Sequence, residues 1–95
     1  MISRVLYKFR LYVAGDTQNS AQAVANLSAL CKAHLVDRHE IEVVDVFREP
    51  QRALADDIRM TPTLLRLSPP LRRIVGTLAQ TQRVLDTLGL EAGVA

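Results

Sequence analysis

A short segment, Met60-Thr61-Pro62-Thr63-Leu64, places a proline between a helical pattern and an apolar strand pattern. Proline has no N–H group to give to a sheet ladder, so it is expected at the first residue or at the edge of a strand. An X-Pro bond also adopts the cis form at low cost, about 0.5–1 kcal/mol above trans. The segment therefore predicts either a cis-proline turn into a strand or an ordinary trans proline at the strand's start.

The patterns on both sides of this segment predict seven elements within one α/β domain, with residues 3–90 as the ordered core of residues 1–95. In chain order they are a strand, a helix, a strand, a helix, two strands and a helix, over residues 5–13, 20–36, 40–47, 50–58, 63–67, 71–78 and 80–90. One helix between the first two strands favours a parallel pair, and the short Ser68-Pro69-Pro70 link favours an antiparallel hairpin. With Thr-Pro opening the third strand, this is the thioredoxin-like order.

The composition excludes several classes of function. The net charge is only +2, whereas a protein that binds nucleic acid by neutralising phosphates needs a concentrated basic face. No stretch approaches the ~20 apolar residues of a membrane span, and the N-terminal residues mix charges with apolar side chains, unlike a signal peptide. We therefore expect no binding to nucleic acid or membrane, and a cytoplasmic location.

The residues of a redox or metal site are also missing from the pattern. A redox-active thioredoxin-like protein needs a thiolate at the start of its first long helix, but that place holds Asp16-Thr17-Gln18-Asn19-Ser20. The single cysteine, Cys31, falls on the apolar stripe well inside the helix, where a small buried hydrophobe is expected. His34 and His39 have no cysteine or carboxylate pair beside them to complete a metal site. We expect no catalytic residue, no cofactor and no metal.

Charged residues remain as candidates for binding. Arg66, Arg72 and Arg73 form a basic group on the predicted hairpin, which is either a solvated rim or a contact for an acidic protein partner. Asp56 and Asp57 are adjacent on a helical pattern, so their side chains should point apart into solvent. By elimination, the chain reads as a binding module rather than an enzyme.

Several longer strings support this interpretation. They are Leu11-Tyr12-Val13-Ala14-Gly15 followed by Thr17 and Asn19-Ser20, then Thr61-Pro62-Thr63-Leu64, Pro69-Pro70 and Arg72-Arg73-Ile74-Val75-Gly76. Together, and in this order over nearly the whole chain, they resemble the KaiB family of circadian-clock proteins.

The resemblance implies a non-catalytic protein that docks on the ring-shaped ATPase KaiC. In cyanobacteria this docking also sequesters KaiA and displaces a KaiB-like sensor kinase. The resemblance further implies two folds that share the first β-α-β unit: a tetrameric ground state and a rarer thioredoxin-like monomer that binds KaiC. The two folds differ in the half of the chain that follows about Pro50. Thr61, Pro62, Pro69 and Pro70 lie in this half and are the predicted cis-proline and switch residues.

By the same resemblance, the expected partner-binding residues are Arg66, Glu42, Asp57, Arg72 and Arg73. Arg66 matches a basic position of the docking face, whereas Glu42 and Asp57 stand where basic residues are usual. Such charge reversals change affinity or partner, which is typical of a divergent bacterial member. The thioredoxin-like fold is our prediction, with the tetrameric fold as the alternative. A homo-oligomer, or a thioredoxin-like adaptor or stress-response protein that does not bind KaiC, also stays open.

Overall fold

The computed structural model describes residues 6–90 and contains four strands and three helices in the predicted order. The strands are β1 (Tyr7–Val13), β2 (His39–Asp45), β3 (Thr63–Arg66) and β4 (Arg72–Val75), and the helices are α1 (Gln18–His34), α2 (Pro50–Ala55) and α3 (Thr81–Leu88). The sheet order is β2-β1-β3-β4. β1 and β2 are parallel, whereas β3 is antiparallel to both β1 and β4. The thioredoxin-like fold is confirmed.

Strand β1 lies at the centre of the sheet, and its side chains alternate between two cores. Phe9, Leu11 and Val13 belong to the larger core, which packs against α1 and α3. Tyr12 points to the opposite face and joins Val44, Ala53 and Leu65 beneath α2. The α1 side of β1 is therefore apolar, whereas the opposite side also carries Lys8 and Arg10.

The first turn of α1 is capped by side chains of the Asp16-Thr17-Gln18-Asn19-Ser20 segment. Thr17 is the N-cap, and its hydroxyl oxygen accepts a hydrogen bond from the Ser20 amide at 3.3 Å. The Thr17 hydroxyl in turn donates to Ser20 Oγ at 2.8 Å, which fixes the orientation of the cap, so one orphan amide of the helix start is satisfied locally. The helix consequently begins at Gln18, two residues before the predicted start.

Several predicted elements end earlier in the structure because residues with positive φ follow them, and α2 and β4 are shortened the most. Helix α2 stops at Ala55 rather than near Ile58, since Asp57 adopts φ +55°. Strand β4 stops at Val75 rather than Leu78, since Gly76 has φ +123° and Leu78 has φ +64°. Gly76 was expected within this strand, but it lies beyond β4 and ends the hairpin.

Both segments that contain the predicted switch residues have cis peptide bonds, Thr61–Pro62 and Pro69–Pro70. Tyr12 lies opposite Thr63 in the β1–β3 ladder, which places Pro62 beside the end of β1. The β1 end leads directly into the Ala14–Thr17 turn and the start of α1. Pro62 therefore lies beside the loop where a redox-active relative would carry its thiol.

Candidate functional site

A cleft of about 470 Å³ opens on the α2 side of the sheet. Helix α2 has six residues and extends about 9 Å, whereas the seven residues of β1 extend about 23 Å, so α2 covers only one end of that face. We call the opening the sheet cleft. The residues that line it include Asp57, Arg66, Arg72 and Arg73, which are four of the five predicted partner-binding residues.

The floor of the sheet cleft is apolar and its border is basic. Leu65 is buried at the floor, while Leu71 is 71% exposed at the border. Arg73 donates to the backbone carbonyls of Asp56 and Asp57 at 2.7 and 2.9 Å, which holds its guanidinium at the end of α2. Neither Arg72 nor Arg73 has a carboxylate at salt-bridge distance within residues 6–90. Both arginines therefore keep an uncompensated positive charge here.

Arg66 was predicted to contact a partner, but its side chain is buried within this fold. It is only 6% exposed, and strand alternation directs its side chain to the face opposite Leu65, against α3. Its guanidinium donates to the Ser68 and Pro69 carbonyls at 3.0 Å each and to the Leu88 carbonyl at the end of α3. In this fold Arg66 joins three segments, and its partner contact stays a prediction.

The ring of Tyr7 completes this arrangement around Arg66. The guanidinium carbon lies 5.0 Å from the ring centroid, within the range of a cation–π contact. Gly89, which ends α3 with φ +75°, leaves the space that the guanidinium fills, because a Cβ there would meet Nη1 at 3.4 Å. A cation at the negative end of a helix dipole is stabilising, so the burial of this charge has a physical explanation.

Glu42 lies outside the sheet cleft, in an ion-pair network on the same face of the sheet. Its two carboxylate oxygens accept hydrogen bonds from both terminal nitrogens of Arg52 at 2.8 Å. Arg10 Nε donates to Glu42 Oε1 at 2.9 Å. Glu42 is three strand spacings from Arg73, or about 14 Å. The structure therefore does not bring Glu42 together with the arginines of the cleft.

Asp56 extends this network to the buried side of α2. Arg10 Nη1 donates to Asp56 Oδ2 at 2.9 Å, and the Tyr12 hydroxyl lies within hydrogen-bond distance of the same oxygen. We call Arg10, Tyr12, Glu42, Arg52 and Asp56 the α2 network. Its members come from β1, β2 and α2, so it fastens α2 to the two strands that the helix crosses.

The hydrogen bonds of the α2 network shift the pKa values of its acids. The bonds from Arg52 and Arg10 lower the pKa of Glu42 from 4.5 to about 2. The bond from Tyr12 lowers the pKa of Asp56, with Arg10 acting in the same direction against burial. Burial raises the pKa of Tyr12, and the neighbouring carboxylate of Asp56 adds to this rise. Both carboxylates are consequently ionised at neutral pH.

Asp57 follows this network and lies at the border of the sheet cleft. Its side chain is 71% exposed, and Arg59 Nε donates to Oδ1 at 3.2 Å. Both Asp56 and Asp57 were expected to be solvated. This holds for Asp57 but is wrong for Asp56, because Asp56 pairs with residues 44 and 46 positions earlier in the chain. No local sequence pattern predicts such long-range pairs.

The place of a thioredoxin thiol is occupied by hydroxyls and amides. Cys31 is fully buried in the larger core, and burial raises its pKa to about 11. A thiol with this pKa is almost entirely protonated at neutral pH and is a poor nucleophile. Within the described part of the chain, no group of three His, Cys, Asp or Glu side chains could hold a metal ion. Cys31 is a core residue, as predicted.

Comparison with protein families gives a direct match. The KaiB domain family matches residues 10–90, which include every residue of the sheet cleft and of the α2 network. The chain belongs to the KaiB family. Circadian clock protein KaiB3 of Synechocystis sp. is 45% identical over 83 residues, covering 86% of this chain and 79% of the relative. Circadian clock oscillator protein KaiB of Synechococcus sp. is 42% identical over 91 residues, covering 95% and 83%.

Solved structures with a similar fold include two of particular interest. The N-terminal domain of Synechococcus elongatus SasA has a TM-score of 0.71 at 16% identity, covering 100% of this chain and 94% of that one. Chloroplastic thioredoxin z has a TM-score of 0.72 at 15% identity, covering 94% and 95%. At these identities the likeness shows the thioredoxin-like fold alone. None of the helices within residues 6–90 has the length and apolar content needed to cross a bilayer.

Proposed function

We propose that this KaiB-family chain is a non-catalytic docking module that binds a KaiC-type ATPase in a circadian or other timing system. Its relatives at 41–45% identity are named as circadian clock proteins, which supports a clock role. The observation that carries the docking proposal is the sheet cleft, an apolar depression in a sheet face bordered by Arg72 and Arg73, which have no ion-pair partner within residues 6–90. Exposed apolar surface with a polar rim is typical of protein–protein interaction sites.

The chemistry of the sheet cleft defines the partner segment that it fits. Leu71 offers exposed apolar surface above the buried Leu65, while Arg72 and Arg73 offer positive charge that no carboxylate within residues 6–90 neutralises. A partner segment with an apolar side chain between acidic residues would cover the leucines with the apolar side chain and pair its acidic residues with the arginines. Burial of apolar area provides most of the affinity, whereas the charges mainly set orientation and association rate.

The two acidic departures, Glu42 and Asp57, have different consequences in this proposal. Glu42 is bound by Arg10 and Arg52, so its charge is largely neutralised inside the α2 network. Asp57 is exposed beside the cleft, where it would repel an acidic partner residue unless Arg59 screens it. We propose that Asp57 tunes partner choice and that Glu42 acts mainly by holding α2.

The test is the affinity of the purified chain for the KaiC-type ATPase of the same genome. Arg72→Glu reverses an exposed charge at the cleft, and we expect at least a tenfold loss, since each 1.4 kcal/mol is a factor of ten. Lys32→Glu makes the same change on the exposed side of α1, away from the cleft, and serves as the matched control. Equal affinities for the wild type and Arg72→Glu would exclude the cleft arginines from the interface.

Fold switching and self-assembly belong to the same proposal. The thioredoxin-like arrangement described above would be the binding state, and a tetramer with the other family fold would be its reservoir, sharing the first β-α-β unit. Thr61, Pro62, Pro69 and Pro70 all lie in the half that would rearrange, and a cytoplasmic location fits this role. Sedimentation over a range of concentrations would show whether a tetramer forms at all.

An insulin-reduction assay separates this proposal from a residual oxidoreductase. We expect no turnover above the Cys31→Ala background, because the only thiol is buried and protonated. Turnover that disappears in Cys31→Ala would show redox chemistry and contradict a purely docking role.

A further inference from the structure

A second depression, distinct from the sheet cleft, lies at the outer edge of the sheet. It encloses about 570 Å³ between β4 and α3, and we call it the β4 groove. Its floor contains the buried side chains of Leu78 and Val84 together with the half-buried Ile74. Arg73 and Arg83 stand at its border, and no Asp or Glu within residues 6–90 lines it. The groove therefore combines an apolar floor with a positive rim.

The backbone of β4 offers hydrogen bonds along this groove. β4 is the last strand of the sheet, and the Gly76 amide donates to the Pro62 carbonyl at 2.9 Å. In an antiparallel ladder, hydrogen-bonded pairs alternate with non-bonded ones, so Ile74 and Arg72 bond to β3. The N–H and C=O groups of Arg73 and Val75 then point outward, away from β3. This edge can accept a further strand.

The charges of the edge indicate what kind of strand fits. Arg73 and Arg83 have no carboxylate at salt-bridge distance within residues 6–90. A second copy of this chain that paired through its own β4 would bring Arg72 and Arg73 against the same residues, which is unfavourable. A strand with acidic side chains would instead neutralise both sides of the edge.

We propose that β4 binds an extended, acidic segment of a partner protein as a fifth strand, with apolar residues at alternate positions. Its backbone pairs with Arg73 and Val75, and its apolar side chains pack on Ile74 and Val84 in the β4 groove. Its acidic side chains lie on the other face, within reach of Arg73, and one terminal acid meets Arg83. Strand addition of this kind obtains affinity from main-chain bonds and specificity from alternate side chains.

The probe is the hexapeptide acetyl-Val-Glu-Val-Glu-Val-Glu-amide, titrated into the ¹⁵N-labelled chain and followed by amide chemical shifts. We expect the largest shifts at Arg73, Val75 and Gly76, and at the start of α3. A matched peptide with Lys in place of Glu should bind at least tenfold more weakly. Arg72→Glu alters the sheet cleft, whereas Arg83→Glu alters the β4 groove. If the peptide binds at the β4 groove, its affinity should change less in Arg72→Glu than in Arg83→Glu.

Two variants test the geometry. Val75→Pro removes an outward N–H group that β3 does not use, so the hairpin is kept while the added strand loses a hydrogen bond. Arg83→Glu reverses the charge on the groove rim and keeps the proposal testable if Val75→Pro fails to fold. Each should weaken the Glu peptide at least threefold. Unchanged affinity in Arg83→Glu, equal binding of the Lys peptide, or shifts centred on β2 would overturn the proposal. Concentration-dependent dimerisation that Val75→Pro abolishes would assign the edge to a second copy instead.

Discussion

Replacing Arg66 with methionine is the change that separates a structural role from a contact role most clearly. The Arg66 guanidinium is buried and is satisfied by the carbonyls of Ser68, Pro69 and Leu88, with the ring of Tyr7 beside it. Methionine keeps much of the volume but leaves three acceptors without a donor. At about 1 kcal/mol or more for each buried acceptor that loses its partner, the loss is about 3 kcal/mol. Part of this loss is offset because the variant no longer pays the desolvation cost of burying a cation.

We therefore expect Arg66→Met to lower the free energy of unfolding by about 2–3 kcal/mol, which for a domain of this size lowers Tm by about 10–20 °C. Arg66→Lys keeps the charge but reaches fewer carbonyls, so it should lose about half as much. The assay is guanidinium unfolding, together with hydrogen exchange at the Leu90 amide, whose bond to the Leu85 carbonyl closes the end of α3.

Exchange at Leu90 should rise in Arg66→Met under native conditions more than exchange in β1, because the end of α3 loses its attachment first. A change in unfolding free energy below about 0.5 kcal/mol, as for an ordinary surface substitution, would refute the structural role. It would also restore Arg66 as a free contact residue. If Arg66→Met does destabilise the fold, weaker partner binding by Arg66→Glu is explained by the loss of α3 and does not require a direct contact.

Further predictions concern the α2 network, the end of α3 and the thiol. Because the pKa of folded Glu42 is about 2, the folded chain binds fewer protons than the unfolded chain between about pH 4.5 and 2. Wild-type stability should therefore fall over this window more steeply than that of Glu42→Gln; parallel pH curves in acid unfolding would contradict the network. Gly89→Ala should cost about 1 kcal/mol in thermal unfolding, since φ is +75° and the new Cβ crowds Arg66. Cys31 should react with a thiol reagent only as fast as the larger core opens by local or global unfolding. Fast labelling of the native chain would mean that this core is not closed.

The elements that were predictable are those whose signals are local. Thr-Pro before an apolar run indicated a strand start with a candidate cis bond, and the pattern of residues 5–13 indicated the first strand. Cys31 was assigned to the core because the apolar stripe of α1 included it. Each conclusion depends on a period or a backbone restriction that a few neighbouring residues determine.

The features that the sequence did not reveal depend on distant pairs. Glu42 was expected to be a partner-binding residue on the docking face, and no local pattern indicated that it binds Arg10 and Arg52, residues 32 and 10 positions away. Arg66 was grouped with Arg72 and Arg73 because they are close in the sequence. Strand alternation then separates Arg66 from Leu65, and the α3 carbonyl that it reaches lies 22 residues later. Only the packing of α3 against the sheet distinguishes a buried arginine from an exposed one.

The central claim is that the thioredoxin-like state docks its partner through the sheet cleft. Hydrogen exchange of the full chain, alone and bound to the KaiC-type ATPase of its genome, tests this claim most directly. The account predicts that binding slows exchange at the amides of Asp57, Leu67, Leu71 and Arg73, while the exposed side of α1 around Lys32 is unchanged. Slower exchange confined to α1, with the cleft amides unaffected, would contradict it.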